Sequence, residues 1–177
     1  MDRLLDQLSR YAAYHRDRRN IATHFVGVPM IVVAVAALLA RPMIMVGPVP
    51  VCPTLFVVLG SIAFYLSLDL RFGLVMGALM ALATWAGLSI AAHATSMWLA
   101  LGLGLFVVGW VIQFIGHAYE GKKPAFVDDL VGLLLGPLFV VAELGFALGL
   151  RTELLRQIEA SVGPTLIRSA ERVTASR

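Results

Sequence analysis

Long apolar runs alternate with short polar or proline-rich stretches along most of this chain. An α-helix needs about 20 apolar residues to cross the roughly 30 Å hydrocarbon core of a bilayer. Four runs reach or approach that length and predict membrane-spanning helices: residues 21–40, 54–68, 72–92 and 97–116. A fifth run, residues 126–150, is interrupted by Gly136 and Pro137, so it either crosses the membrane or enters it and returns on the same side.

Polar residues and helix breakers set the limits of these elements. Asn20 is a favourable N-cap for the first span, and Pro29 is expected to kink that helix. Residues 41–53 contain four prolines and predict a loop, while residues 93–96 predict a short turn. Frequent glycines in the third and fourth runs are expected to let helices approach closely.

Both ends of the chain are more polar than its middle. Leucines recur at helical spacing among charged residues in residues 1–20, which predicts an amphipathic surface helix. Residues 151–177 predict a second surface helix that is broken at Gly163 and ends in a loose tail. The whole pattern predicts an all-α fold, a polytopic membrane helix bundle of four spans plus a broken or re-entrant fifth segment. Residues 1–177 would form a single integral membrane domain, with the bundle at residues 21–150.

Composition supports a membrane protein and excludes several other classes. Hydrophobic residues make up 59% of the 177 residues and charged residues 14%, against roughly 45–50% and 25% in soluble domains. The net charge is +3, but the basic residues flank apolar runs instead of forming a stripe with aromatics, so no nucleic-acid partner is expected. Cys52 is the single cysteine, which excludes an internal disulfide and a multi-cysteine metal site.

The distribution of basic residues predicts the orientation in the membrane. With the arginine-rich N-terminus in the cytoplasm, four spans place Lys122 and Lys123 on the cytoplasmic side, as the positive-inside rule expects. His93 then lies at the opposite face. Three histidines lie near the cytoplasmic face: His15, His24 and His117. We therefore expect an integral membrane protein with its N-terminus and these three histidines on the cytoplasmic side.

The three histidines near that face are candidate metal ligands. His15 and His24 are nine residues apart and would point in opposite directions on one straight helix, so they can share an ion only if the chain breaks between them. We predict this break at Asn20, whose amide could orient His24 four residues later. Neutral imidazoles suit iron or zinc and leave coordination positions for substrate and oxygen. The alternative is that each histidine bonds a backbone carbonyl at a helix end.

A second polar group follows the fourth apolar run, in the stretch QFIGHAYEGKKPA at residues 113–125. His117 and Glu120 are three residues apart and share a helix face, so both could reach a common ion or proton. Lys122 and Lys123 follow, and on the residues alone they are interpreted as interfacial anchors.

Glu143 is a carboxylate within the last apolar run. It is expected to face the bundle interior, because an unpaired charge in the hydrocarbon is costly. If the run turns back at its glycine-proline interruption, Glu143 returns toward the histidines. If the run spans the membrane, Glu143 pairs with Gln113 or with an arginine. Asp128 and Asp129 are expected to cap the first turn of this run.

These residues resemble those of the membrane-bound 2-hydroxy fatty acid dioxygenase family, which is known from the fungal endoplasmic reticulum and from bacteria. The resemblance covers nearly the whole chain, and its most specific part is the QFIGH segment that ends at His117. Asp129 departs from the family, in which asparagine is usual at that position, and His93 has no counterpart. The other matching positions are Tyr14, His15, Asn20, His24, Gly27, Pro29, Glu120, Lys123, Pro124, Ala125, Gly136, Pro137, Leu138, Phe139, Val140 and Glu143.

The resemblance implies an iron(II)- and oxygen-dependent dioxygenase that acts in α-oxidation. Its substrate would be a 2-hydroxy fatty acid, which loses one carbon from the carboxyl end and whose acyl tail lies among membrane lipid. The implied roles are iron ligation by His15, His24 and His117, a supporting carboxylate or fourth ligand at Glu120 or Glu143, orientation of a histidine by Asn20, and attraction of the substrate carboxylate by Lys122 or Lys123.

Other functions remain open on the residues alone. A non-catalytic lipid-binding or small transport protein would also explain a broken last run that contains Glu143. A zinc-dependent membrane hydrolase uses the same type of ligand. A di-iron desaturase is excluded, since four histidines cannot supply its paired clusters. Assembly into a homo-oligomer is left open.

Overall fold

In the computed structural model, residues 3–167 are described, and helices dominate them. Seven α-helices follow one another: α1 Arg3–Ala12, α2 Arg18–Ala40, α3 Pro53–Leu68, α4 Leu70–Ala91, α5 Thr95–Glu120, α6 Gly132–Ala147 and α7 Thr152–Val162. A 3-10 turn at Ala125–Val127 precedes α6, and a small hairpin follows α2. The predicted helical fold class is confirmed for this part of the chain. The predictions for residues 1–2 and 168–177 lie outside it.

The lengths of the helices indicate a membrane protein with three or four candidate spans. Helices α2, α4 and α5 have 23, 22 and 26 residues and are apolar enough to cross a bilayer. Helices α6 and α7 meet this criterion only as a pair, and the chain bends by 115° between them. Helix α3 has 16 residues, about 24 Å of helix, which is shorter than the hydrocarbon core. The predicted count of four spans plus a fifth segment is therefore not confirmed.

The break between the first two helices lies earlier than predicted. Helix α1 ends at Ala12 and α2 begins at Arg18, so Asn20 belongs to the first turn of α2 and its prediction as the N-cap is wrong. Asp17 takes that position, and its Oδ1 accepts a hydrogen bond of 2.9 Å from the backbone N–H of Arg19. A carboxylate is favoured there because the N-terminal end of a helix carries partial positive charge.

Helix α6 continues through Pro137, so the predicted interruption at Gly136 is wrong. The proline costs one intrahelical hydrogen bond, and burial of the helix face around it offsets that loss. The chain turns instead at residues 148–151, where Gly149 and Arg151 have φ angles of 75° and 52°. Such left-handed residues commonly end helices. Glu143 therefore lies within one continuous helix.

The aspartates before α6 do not both cap it as predicted. Asp129 Oδ1 accepts a hydrogen bond of 2.9 Å from the N–H of Val131, just before the helix begins at Gly132. Asp128 instead binds Tyr14, which donates its hydroxyl proton at 2.8 Å. Only Asp129 therefore bonds the backbone at the start of this helix.

Residues 41–53, predicted as a loop, contain a short antiparallel hairpin. Strand β1, Ile44–Val46, pairs with β2, Val49–Val51. Gly47 supplies the positive φ of 61° that the tight turn needs. The prolines exclude a helix here but permit two short strands. Proline cannot donate a backbone hydrogen bond, and in a two-stranded ribbon both strands are edge strands, where some N–H groups have no partner strand.

Two compact units can be distinguished from the contacts, and each is described by itself. One of them is Pro29–Trp110, in which α3 and α4 pack side by side. Gly73 permits this contact, since a Cβ at that position would lie 2.7 Å from the Cα of Leu66. Arg41 binds the C-terminal end of α4, where its Nε donates to the carbonyl of Ala91 at 3.0 Å. The organisation of the chain as a single integral membrane domain stays a prediction.

The other unit is formed by Met1–Val28 and Val111–Arg177, and it holds the three candidate histidines. In this unit α1 packs against α6 and α7. Leu4 and Leu8, which give α1 its amphipathic pattern, are fully buried in those contacts. The apolar face of α1 is thus covered by protein. This packing holds the C-terminal end of α1, which His15 follows.

Candidate metal centre

Three buried histidine side chains meet in this unit. His15 follows α1, His24 lies in the second turn of α2, and His117 lies in the last turn of α5. Their exposed fractions are 0%, 2% and 6%. One ring nitrogen from each can be chosen so that all three atoms lie within 4.8 Å of one another, and no other such group of potential ligands occurs in the described part of the chain. His93 is exposed and lies outside this cluster.

Backbone carbonyls fix the orientation of two of the imidazole rings. His15 Nδ1 lies 2.8 Å from the carbonyl oxygen of Tyr11, and His24 Nδ1 lies 2.8 Å from the carbonyl oxygen of Asn20. A carbonyl can only accept, so each Nδ1 carries the proton. The lone pair of each neutral ring is then at Nε2, which is the arrangement that histidine ligands of metals adopt.

The two Nε2 atoms of His15 and His24 face each other 3.0 Å apart. With both protons at Nδ1, two lone pairs point to the same place and repel each other. A cation removes this repulsion, and two metal–nitrogen bonds of roughly 2.1 Å at about a right angle would span about 3.0 Å. The donor set therefore fits a transition metal, for which imidazole is the commonest protein ligand.

Aromatic rings enclose the cluster on one side. The ring of Tyr11 stacks on His15 with a centroid distance of 4.2 Å and an interplanar angle of 9°. The ring of Phe139 lies 5.3 Å from that of His15. Burial lowers the pKa of His15 well below its usual value, and the nearby His24 lowers this pKa further. His15 is therefore neutral at pH 7, the form that binds a metal.

Glu120 holds the backbone that follows His15. Its Oε2 accepts hydrogen bonds from the N–H groups of Arg16 at 2.9 Å and of Asp17 at 2.7 Å. The Glu120 residue is 1% exposed, and bonds from N–H groups to a buried carboxylate are strong. Glu120 is not part of the group of potential metal ligands in the described residues. Its contacts are those of a residue that positions His15.

Asn20 connects the same segment to α5. Its Nδ2 donates to Glu120 Oε2 and to the carbonyl of Tyr14, both at 3.3 Å. The group that orients His24 is the backbone carbonyl of Asn20, whereas the sequence predicted its amide. Gly116 makes this approach of α2 and α5 possible, since a Cβ there would lie 2.0 Å from Thr23 Oγ1.

Glu143 reaches the site through Arg16. The Nη2 of Arg16 lies 3.8 Å from Glu143 Oε1, and the two side chains are 4% and 15% exposed. The Nη1 of Arg16 donates to the carbonyl of Gly163 at 2.9 Å. The carboxylate of Glu143 thus compensates the charge of the buried Arg16 guanidinium. This ion pair accounts for the presence of Glu143 within an apolar run.

Residues 163–167, which we name the C-terminal strap, lie along the segment after His15. The N–H of Leu166 donates to the carbonyl of Arg16 at 2.9 Å, and its carbonyl accepts from the N–H of Arg18 at 3.0 Å. Asp17 and Leu166 form a parallel bridge. The segment that carries His15 is therefore held from two sides, by Glu120 and by the strap.

The two lysines predicted to bind substrate both contact protein groups. Lys122 Nζ donates to the carbonyl of Ala13 at 2.8 Å. Lys123 forms an ion pair with Asp128, which also accepts from the Tyr14 hydroxyl. Lys123 lowers the pKa of Asp128, and the bond from Tyr14 lowers it further. These contacts tie the α5–α6 connection to the segment that carries His15.

A pocket of about 350 Å³ lies beside these contacts. Tyr11, Tyr14, Asp128 and Leu135 are among the residues that line it. The ring of Tyr11 both lines this pocket and stacks on His15. The pocket and the histidine cluster therefore share the Tyr11 side chain.

Sequence reasoning missed the residues that support the first histidine. Arg16 and Asp17 are 4% and 0% exposed, and Tyr11 forms the wall of the cluster. A signal for the first two was present in the sequence. Two charged residues directly follow His15, although most charged side chains of a membrane protein lie in water unless they have a function or a partner.

Comparison with known proteins agrees with the family that the sequence resembles. A family model described as 2-hydroxy-palmitic acid dioxygenase Mpo1-like matches residues 1–148. The 2-hydroxy-palmitic acid dioxygenase MPO1 of Saccharomyces cerevisiae is 34% identical over 160 residues, which cover 88% of this chain and 87% of the yeast protein. No solved structure matches the chain.

Proposed function

The chain belongs to the Mpo1-like family, and on this premise we propose that it is an iron(II)-dependent dioxygenase acting in the α-oxidation of 2-hydroxy fatty acids. The yeast relative is named for dioxygenase activity on 2-hydroxy-palmitic acid. The observation that carries the proposal in this chain is the buried cluster of His15, His24 and His117. Removal of one carbon from the carboxyl end would leave a fatty acid that is one carbon shorter.

His15, His24 and His117 would hold the iron. Iron(II) bound there would supply coordination positions for oxygen and for the carboxylate and hydroxyl groups of a 2-hydroxy acid. The chain keeps His15 and His24 ready for this role, since backbone carbonyls hold both Nδ1 protons and leave both Nε2 lone pairs facing one point. Burial keeps His15 unprotonated without a need for metal.

The remaining predicted site residues would act around the histidines. Glu120 would keep His15 in place through the backbone of the next two residues, and Asn20 would orient His24 through its carbonyl. Glu143 would neutralise Arg16 beside the site. We retain the role of Lys122 and Lys123 in attracting the substrate carboxylate, because both cations lie on the connection next to the His15 segment. Tyr11 and Phe139 would exclude water from the cluster.

The location of the site fits a substrate that dissolves in lipid. His24 and His117 lie within one or two turns of the ends of the apolar helices α2 and α5, so the cluster would lie near a membrane surface. Basic residues accompany it, which supports the cytoplasmic side of a bacterial inner membrane. The acyl tail would lie among apolar helices and membrane lipid while the head group reaches the cluster. A homo-oligomer stays a prediction.

Metal analysis and turnover of the purified protein test this proposal together. Wild type is expected to retain about one iron per chain, and to consume oxygen while it converts a 2-hydroxy fatty acid to the acid one carbon shorter. His117→Ala is expected to lose both the iron and the turnover, because two ligands hold a metal more weakly than three. His93→Ala is the matched control, since that histidine is exposed and lies outside the cluster.

Three results would contradict the proposal. Full turnover in folded His117→Ala would remove the role of the cluster. Zinc in place of iron, with no oxygen consumption, would favour a hydrolase. A folded wild-type protein without a transition metal would favour a lipid-binding or transport function. Thermal unfolding of each variant shows whether it has folded.

A further inference from the structure

The last turns of α5 bury a stripe of residues that is unusual for an apolar helix. Gln113, Gly116, His117 and Glu120 are buried, while the residues between them, such as Phe114, are exposed and apolar. The spacing of three and four residues places the buried positions on one helix face. That face is therefore the polar side of a helix whose other sides suit lipid.

Most of this stripe is explained by contacts already described. Glu120 binds the backbone after His15, Gly116 gives room to Thr23, and His117 belongs to the histidine cluster. Gln113 is different. It is 4% exposed, and neither its side-chain oxygen nor its side-chain nitrogen has a hydrogen-bond partner among the described residues.

A buried amide without hydrogen-bond partners raises the free energy of the folded state. The effect is larger in a membrane, where water cannot reach the amide. Leucine would fill the same volume without that cost, so the fold alone does not account for a glutamine here. Buried polar groups in native structures are nearly always hydrogen-bonded, so an unpaired one indicates a role in function or a bound partner. Gln113 precedes His117 by four residues on the same face, which places it just over one helical turn, about 6 Å, from His117 along α5.

We propose that the Gln113 side chain binds the head group of the substrate and selects for its 2-hydroxyl group. This inference rests on the proposed function and assigns the substrate contact within it. The amide N–H₂ group donates to a carboxylate oxygen, and the amide oxygen accepts from the hydroxyl on the neighbouring carbon. An unsubstituted fatty acid satisfies the donor but leaves the amide oxygen unpaired in an apolar environment. The site therefore prefers 2-hydroxy acids.

The position of Gln113 along α5 agrees with this assignment. The helix runs from Thr95 toward Glu120, so Gln113 lies on the side of His117 that is farther from the polar connection after Glu120. A head group held at both His117 and Gln113 directs its acyl tail away from that connection, toward the apolar part of the helix. Asn20 does not offer the same pair of groups, because its amide nitrogen already donates to Tyr14 and Glu120.

Binding measured with Gln113→Leu tests the proposal. The probes are 2-hydroxyhexadecanoic acid and hexadecanoic acid, titrated without oxygen into the purified metal-loaded protein in detergent. Loss of the two hydrogen bonds is expected to weaken binding of the hydroxy acid by about 10- to 100-fold while hexadecanoic acid changes by less than about threefold. Metal content stays at the wild-type level, and the melting temperature stays equal or rises, because the variant no longer buries an unpaired amide.

Thr54→Val is the matched control. Thr54 is also a buried polar residue of an apolar helix, but its hydroxyl donates to the carbonyl of Ala36 at 3.0 Å, so it has a structural partner. This variant is expected to lower the melting temperature and to keep the wild-type preference for the hydroxy acid. A loss of preference in Thr54→Val would mean that preference follows stability, and it would overturn the proposal.

Two further outcomes contradict the proposal, and they are distinguishable from failure of the proposed function. An unchanged preference in Gln113→Leu removes the substrate contact and leaves the function intact. A lower melting temperature with equal loss of both ligands shows a structural role for Gln113. If wild type holds no metal or does not bind the hydroxy acid, the proposed function itself fails, and the Gln113 contact fails with it.

Discussion

His15 Nε2 lies 3.0 Å from His24 Nε2, and the Nδ1 atom of each ring faces a backbone carbonyl. This relationship makes the cluster electrostatically unfavourable without a cation and favourable with one. The same two side chains are almost completely buried, so water cannot screen the repulsion. The chain thus holds two unprotonated nitrogens together by its backbone, at a cost that a bound metal would offset.

Removal of the metal is expected to lower the melting temperature of the wild-type protein. A ligand that binds the folded state alone stabilises it by about 2.7 kcal/mol when its concentration is 100 times the dissociation constant. Addition of a chelator during thermal unfolding measures this loss. In His24→Ala the chelator is expected to have little effect, whereas His93→Ala should respond as wild type does. Equal responses of wild type and His24→Ala would contradict the role of the cluster.

Acid is expected to destabilise the metal-free protein through His15. Its pKa is lowered by burial in the folded state, while the unfolded chain has the ordinary value of about 6.5. Below that pH the unfolded chain takes up a proton that the folded chain does not, so stability falls as pH falls, by up to about 1.4 kcal/mol per unit for this group. Melting temperatures from pH 8 to pH 5 test this. His15→Asn should show a shallower dependence, and an identical dependence would disprove the assignment.

Loss of the Glu120 carboxylate is expected to weaken metal binding, because it holds the backbone that follows His15. Glu120→Ala leaves the N–H groups of Arg16 and Asp17 without this acceptor, and each such loss costs about 1–3 kcal/mol. Supporting residues of this kind typically change metal affinity by about 10- to 100-fold. Metal titration followed by thermal unfolding measures both effects.

The control for Glu120 is Glu153→Ala. Glu153 pairs with Arg156 on the exposed side of α7, and the two side chains are 70% and 75% exposed. Such surface pairs contribute little, so both stability and metal affinity are expected to stay near wild type. Wild-type affinity in Glu120→Ala would show that the His15 segment holds its position without the carboxylate.

An alanine at position 116 is expected to separate α2 from α5. The added Cβ would lie 2.0 Å from Thr23 Oγ1 and 2.6 Å from Asn20 Oδ1, so these two side chains must move or the helices must shift apart. Overpacking of this kind typically costs about 1–3 kcal/mol. Gly104→Ala is the matched control within the same helix, because a Cβ there meets nothing within 4 Å. Unfolding curves that are the same for both variants would contradict the close approach at Gly116.

Truncation after Val162 is expected to lower metal affinity, because it removes the strap. The bonds lost are those of Leu166 to the backbone of Arg16 and Arg18, and the bond of Gly163 to the Arg16 side chain. Truncation after Ile167 is the control, since it keeps all of these contacts. If the two truncated chains bind metal equally well, the strap has no part in positioning His15.

Local pattern was sufficient to predict much of the helical architecture. Apolar runs of helical length gave the approximate positions of α2, α4 and α5, because the bilayer requires each spanning segment to satisfy its own backbone hydrogen bonds. The family was recognised from short motifs around His15, His24 and His117, and the comparisons confirm it. The local pattern placed the start of α2 too late, because Asp17 and not Asn20 caps that helix. It also predicted an interruption at Pro137, where packing of a buried face keeps α6 continuous.

The sequence by itself determined that this chain is apolar, helical and poor in histidine, which indicates a membrane protein, and it identified those histidines as the candidates for chemistry. Only the tertiary structure decided how they are held. The supporting contacts join Glu120 to Arg16 across 104 positions of sequence, and Gly163 to Arg16 across 147. No local period encodes such contacts, since they depend on which helix faces meet after the chain has folded.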